Sequence, residues 1–158
     1  MTKLFGALLF TVFLLFCLLL YRREEKRSLA EYRGLCRLVS HIRELLSTAP
    51  TPLCEIFAGF KDEALSACGF LPLLQSEGLA SALSAGKLHL EKESLSPLST
   101  YAENLGTRLY AEEKRAAEEV CCALQAAFKE KEEAFPRQQK LTGTLFFSGG
   151  MLLLLLLL

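Results

Sequence analysis

A chain of 158 residues with 18 Lys and Arg against 18 Asp and Glu carries no net charge. That balance excludes a nucleic-acid binder of the usual kind, which shows a strongly basic face. Half of the composition is hydrophobic, 51%, and its distribution along the chain sets the organisation.

Residues 4 to 20, LFGALLFTVFLLFCLLL, are seventeen residues without a charge, with Lys3 the one basic side chain ahead of them. A bilayer's hydrocarbon core is about 30 Å thick and takes roughly 17 to 25 apolar residues as a helix. Residues 1–21 therefore read as an N-terminal transmembrane helix, just long enough to cross with little tilt. A cleaved signal peptide would have a shorter apolar run and a small-x-small cleavage site. Here the run reaches Leu20 and meets YRREEKR directly, and the LLF before Cys17 lacks the small residues of a lipoprotein site. Tyr21 falls at the interfacial level where aromatic side chains are enriched.

Residues 22–140 form one small module of 119 residues, with 17 basic and 18 acidic side chains once Lys3 is set aside. Over 28 to 47 the apolar positions are Leu29, Tyr32, Leu35, Cys36, Val39, Ile42, Leu45 and Leu46. Their steps of three and four draw one stripe of a helix, which can continue straight out of the first apolar segment; Gly34 is the one interruption. STAPTPL ends it, because Pro50 and Pro52 cannot sit in a helix interior. Thr51 is expected to cap a second helix over 53–67 with Pro52 in its first turn and Cys68-Gly69 closing it. A short helix is expected over 73–84. The next is expected from Ser96 as cap, with Pro97 at the first helical position and Gly106 as stop. Thr107 is expected to cap a long helix to about Phe135, with the stripe Tyr110, Ala117, Val120, Cys121, Leu124, Ala127, Phe128 and Phe135. No run alternates long enough for a sheet. The fold class is all-α: a cytoplasmic bundle of four to five helices.

Pro136 is placed to kink the entry into the last segment. Residues 141–158 are eighteen residues without a charge and read as a C-terminal transmembrane helix. Arg22, Arg23, Lys26 and Arg27 follow the first span, and Lys129, Lys131, Arg137 and Lys140 precede the second. Lysine and arginine stay on the cytoplasmic side of short loops. Residues 22–140 are therefore expected in the cytoplasm, with both termini on the far side of the membrane.

Residue types that carry chemistry are sparse. Cys17 lies in the first apolar run. Cys36, Cys54, Cys68, Cys121 and Cys122 form no C-x-x-C, and His41 and His89 have no cysteine or histidine at ligand spacing. They read as small buried hydrophobes in a reducing compartment. The side chains of Cys121 and Cys122 point about 100° apart on a helix, which argues against a disulfide between them. There is no glycine-rich phosphate loop, no H-E-x-x-H and no nucleophile elbow. Glu112, Glu113, Glu118 and Glu119 are the densest acidic cluster and read as an exposed, salt-laced helix face, since acid–base work needs a pocket that separates two pKa values. No catalytic, metal or cofactor-binding residue is assigned, no cofactor is expected, and the reading moves from enzyme to binding.

Several short elements have a familiar order. MTKLFGALL places Lys3, Leu4 and Gly6, a helix leads to Thr51-Pro52-Leu53, YAENLG spans 101–106, and the end carries Leu141, Gly143, Leu145 and Gly149 or Gly150 before leucines. Together with two apolar ends around about 120 residues, this resembles the stage III sporulation protein AB family along the whole chain. Thr48-Ala49-Pro50 departs from that family's glycine before the turn, and Leu109 with Glu112-Glu113-Lys114 stands where an aspartate and a glutamine are usual. The resemblance implies a non-enzymatic membrane component of the mother-cell sporulation channel or secretion-like complex, in the membrane facing the forespore. It further implies similarity to the cytoplasmic domain of inner-membrane platform proteins of type II secretion and type IV pilus systems, which are helical bundles seated on a hexameric ATPase. The expected partners are thus a secretion-type ATPase, other sporulation membrane proteins and the membrane itself, with no nucleic acid and no small-molecule substrate. A platform protein of a pilus or secretion system is the alternative; it would carry a second copy of the helical domain, and this chain has no internal repeat. A membrane-anchored adaptor of another partner is the remaining one. Under this reading Thr51, Pro52, Leu53, Tyr101, Glu103, Leu105 and Gly106 are the candidate partner contacts. Gly143, Gly149 and Gly150 are the candidates for close packing of membrane helices.

Overall fold

The computed structural model describes residues 2–48, 51–90 and 92–157, without the side chains of 2–5, 7, 8, 10 and 152–157. Among the described residues every regular element is a helix, in the order α1 (Thr2–Thr48), α2 (Leu53–Gly59), α3 (Glu63–Ala67), α4 (Phe70–Glu77), α5 (Leu79–Ser84), α6 (Lys92–Glu103) and α7 (Tyr110–Leu157). The chain divides into two units. One is Met1–Lys26 with Lys131–Leu158, the other Arg27–Glu130. The two long helices α1 and α7 belong to both.

The Arg27–Glu130 unit is a helical bundle. Tyr32, Leu35, Val39 and Ile42 of α1 are fully buried, as the three-and-four spacing predicts. So is Leu38, three residues after Leu35 and four before Ile42, which widens the same stripe. The core is completed by Ile56 and Phe57 of α2, Leu65 of α3, Phe70 and Leu74 of α4, Leu98 of α6, and Cys121 and Leu124 of α7. α4 packs on α2, α3 and α5, and α5 on α6. Gly34 permits a close approach. A Cβ there would lie 2.9 Å from both Asp62 Oδ1 and Leu65 Cγ, so α3 sits where only hydrogen fits.

Several expected boundaries move, each for a local reason. Pro52, not Thr51, is the N-cap residue of α2, with φ −59° and ψ 138°; Pro50 lies outside the described residues. The expected helix over 53–67 is two. Phe60 turns extended, with ψ 135°, and Asp62 caps α3 by accepting bonds from Ala64 N and Leu65 N at 3.0 and 3.1 Å. A short carboxylate that bonds backbone N–H groups starts a new helix in preference to continuing an old one. The expected helix over 73–84 is also two, and starts earlier, because Gly69 at φ 77° and Gly78 at φ 90° adopt the positive φ that glycine tolerates.

α6 begins at Lys92, so Ser96 is not its cap and Pro97 lies inside it. Leu95 and Leu98 are both buried, and their burial draws in the turn ahead of the proline. α7 begins at Tyr110 instead of after Thr107. The Thr107 hydroxyl donates back to Asn104 O at 2.8 Å, which ties it to the turn behind it. Pro136 lies inside the continuous α7.

The Met1–Lys26/Lys131–Leu158 unit pairs the ends of the chain through glycine. Gly150 is buried, and a Cβ on it would meet Leu14 Cδ1 at 2.8 Å. Among the described residues no helix is long and apolar enough to cross a membrane. Of the two expected spans, the side chains of Leu4, Phe5, Ala7, Leu8 and Phe10 and of residues 152–158 lie outside the described set.

Candidate partner-contact site

The turn after α1 and the loop before α7 meet at one end of the bundle. Leu53 Cδ1 lies 3.2 Å from the position of a Cβ on Gly106, whose φ of 83° only glycine adopts comfortably. Tyr110 ties the same end to α1, its hydroxyl donating to Leu46 O. Leu53 and Gly106, 53 residues apart in the chain, are thus brought together.

A buried carboxylate holds the loop. Glu113 is 5% exposed, which corrects its reading as part of an exposed face; Glu112, Glu118 and Glu119 are exposed. Glu113 Oε2 accepts from Gly106 N at 3.3 Å, and Glu112 Oε2 from Leu109 N at 3.4 Å. Carboxylates in the first turn also favour the positive end of the α7 dipole. Glu113 is turned inward because its partner is a backbone N–H in the preceding loop, a contact that spacing within α7 does not reveal.

The expected contact residues divide. Pro52, Glu103 and Gly106 are exposed, and Thr51, Leu53 and Leu105 are half-buried. Tyr101 is 2% exposed, so it is a core residue and presents no ring to a partner. Its hydroxyl is held well above the ordinary tyrosine range, first by burial and then by the negative charge of Glu113 beside it. Leu109 and Tyr110 stand out instead, 74% and 44% exposed. Tyr110 belonged to the expected α7 stripe and Leu109 to no expected set. The signal available was a large apolar pair directly behind a polar, glycine-containing turn. Together Pro52, Leu109 and Tyr110 give this end an apolar surface on a backbone fixed by hydrogen bonds. An arrangement of this kind suits contact with another protein.

Elsewhere in the bundle the polar groups are structural. Glu31 is fully buried and accepts from His89 N at 2.7 Å, with His89 Nδ1 2.9 Å and Arg27 Nε 3.4 Å away. This pins the loop before α6 to α1. Asp62 pairs with Arg37 at 3.2 Å. Cys36 and Cys121 are buried on facing helices: Cys36 Sγ donates to Leu124 O at 3.7 Å, and Cys121 Sγ lies 3.5 Å from Ser40 Oγ. Burial, with Cys121 adding to it, pushes the Cys36 thiol up to about 11. Such a thiol is a core hydrophobe and a poor nucleophile. Cys54 and Cys122 are exposed, which corrects their reading as buried. Among the described residues no group of His, Cys, Asp or Glu is placed to hold a metal ion.

The three glycines of the last segment differ. Gly150 faces α1 at Leu14, Gly143 has Arg22 Nη2 3.6 Å from its Cβ position, and Gly149 faces open space. Comparison of the chain with protein families, with curated proteins and with solved structures gives no match.

Proposed function

We propose that this chain is a non-enzymatic membrane component of the mother-cell sporulation channel, a secretion-like complex, in which its helical module couples a cytoplasmic ATPase to membrane partners. The observation that carries the reading is the end of the bundle where Pro52, Leu109 and Tyr110 are exposed, beside a loop that Glu113 holds at Gly106. The sequence supports the rest. Residues 4–20 and 141–158 are uncharged runs of spanning length, flanked on their inner sides by lysine and arginine. These supply the two anchors, with the bundle in the cytoplasm and both termini on the far side, in the membrane facing the forespore. The resemblance to the stage III sporulation protein AB family supplies the machine. Within it, the ATPase docks on the Pro52/Leu109/Tyr110 end.

The test is a pull-down of the full chain from membranes of sporulating cells, with mass spectrometry of the captured proteins. A hexameric secretion-type ATPase is expected in the wild-type capture, and Leu109→Asp is expected to reduce it at least tenfold, on the order of the loss of one interface hot spot. Leu109 is exposed, so circular dichroism should be unchanged. Capture of the ATPase that is indifferent to Leu109→Asp removes the site; no ATPase in the wild-type capture removes the coupling role.

A further inference from the structure

An apolar trough of about 460 Å³ lies between α1 and α7 within the Met1–Lys26/Lys131–Leu158 unit. Leu14, Leu15 and Leu18 line it from α1, and Phe146 and Met151 from α7. Gly143 and Gly150 also line it: Gly143 contributes no side chain and leaves space there, while Leu14 packs onto Gly150. Among the described residues Thr11 is the one polar side chain in the lining. A dry space lined by leucine and phenylalanine takes an apolar occupant and repels water.

One end of the trough is charged. Arg22 Nη2 lies 3.6 Å from the Gly143 Cβ position. The Arg22 side chain is exposed, and among the described residues it pairs with no carboxylate. From Thr11 to Arg22 the helix rises about 16 Å at 1.5 Å per residue, roughly half of a 30 Å hydrocarbon core. The trough is therefore about one leaflet deep, with a free guanidinium where headgroup phosphates lie. A guanidinium binds phosphate through parallel hydrogen bonds, and basic residues between membrane helices on the cytoplasmic side select anionic headgroups.

We propose that this trough is a binding site for an anionic phospholipid, with one acyl chain laid along Leu14, Leu18 and Phe146 and the phosphate held by Arg22. The site rests on the membrane reading above and adds a ligand to it. Gly143 and Gly150 then have separate roles: Gly150 allows the two helices to touch, and Gly143 keeps the mouth of the trough open beneath Arg22.

The experiment uses the full chain, first washed with carbonate in its native membranes and then purified in mild detergent. Native mass spectrometry follows after addition of phosphatidylglycerol or of phosphatidylcholine with the same acyl chains. One phosphatidylglycerol should be retained, roughly five- to tenfold more tightly than phosphatidylcholine. Arg22→Gln should abolish that preference, while Arg23→Gln, which removes an equal charge beside it, should keep it. Gly143→Val, which fills the mouth, should lower retention of both lipids. Equal retention of the two lipids by the wild type overturns the site, as does an equal effect of Arg22→Gln and Arg23→Gln. A chain that resists carbonate yet shows no preference overturns the lipid site alone. A chain released by carbonate overturns the membrane reading and the site with it.

Discussion

The same two helices are built on opposite plans in the two units. Within Arg27–Glu130, α1 turns Leu35, Leu38, Val39 and Ile42 fully inward, and α7 does so with Ala117, Cys121 and Leu124. Within Met1–Lys26/Lys131–Leu158 large side chains point out: Leu19 is 63% and Leu145 70% exposed, while among the described residues the buried position is Gly150. In the first unit, apolar area removed from water stabilises the fold by roughly 25 cal/mol per Å². In the second, the Leu14 side chain seats on the bare backbone of Gly150, and a small residue at a helix contact lets the elements approach closely. An exterior of leucine and phenylalanine is stable against lipid and prone to association in water. One continuous helix thus changes its mode of stabilisation along its length.

The largest expected effect breaks the bundle side of that contrast. Leu98→Ala removes a fully buried side chain and should lower unfolding free energy by about 3 to 4 kcal/mol in a urea titration of the detergent-solubilised chain. Leu19→Ala, outward-facing, should change it by less than about 0.5 kcal/mol. Equal losses from the two would erase the distinction between the units.

A pair of glycines sharpens it. Gly34→Ala places a methyl group 2.9 Å from Asp62 Oδ1 and Leu65 Cγ and should cost about 1 to 3 kcal/mol by forcing α3 away. Gly149→Ala meets nothing within 4 Å and should be neutral or stabilising by up to about 1 kcal/mol through helix propensity. Thermal melts of the two variants separate these signs.

The smallest effect is a pH dependence confined to the bundle. Burial raises the Cys36 thiol from 9.0 to about 11. A raised folded-state pKa means the folded state keeps its proton longer than the unfolded one. The contribution is therefore complete below pH 9 and is lost as pH rises toward 11. Between pH 9 and 10 the wild type should lose about 1 kcal/mol more than Cys36→Ala, measured by urea titration at each pH. Parallel losses in the two proteins would show that the thiol is not held in the core.

Much of this was legible locally. The α1 stripe from Tyr32 to Leu46, the all-helical class and the glycine stop at 69 follow from spacing and from backbone freedom within a few residues. The candidate contact site was legible only in part. Thr51-Pro52-Leu53 and Gly106 were identified as separate short motifs, and their proximity comes from packing. The burial of Tyr101 is hidden in the sequence because an aromatic next to a helix stop looks the same whether it faces out or in. Leu109 was passed over because a single leucine between Arg108 and Tyr110 has no period. The breaks at Asp62 and Gly78 were overrun because apolar residues continue on both sides of each.

The helical class, the apolar uncharged ends and the turns at Pro52 and Gly106 are all written in the local sequence. Each of these depends on residues within one or two helical turns, where propensity and periodicity act. Only the tertiary structure decided which carboxylates go inside. Glu31 is buried because His89, 58 residues on, donates to it, and Glu113 because it closes the Gly106 loop. It likewise decided that Tyr110 reaches Leu46 across 64 residues. A buried charge is tolerated only where a partner arrives, and in a bundle that partner comes from a distant element, at a separation that no local pattern encodes.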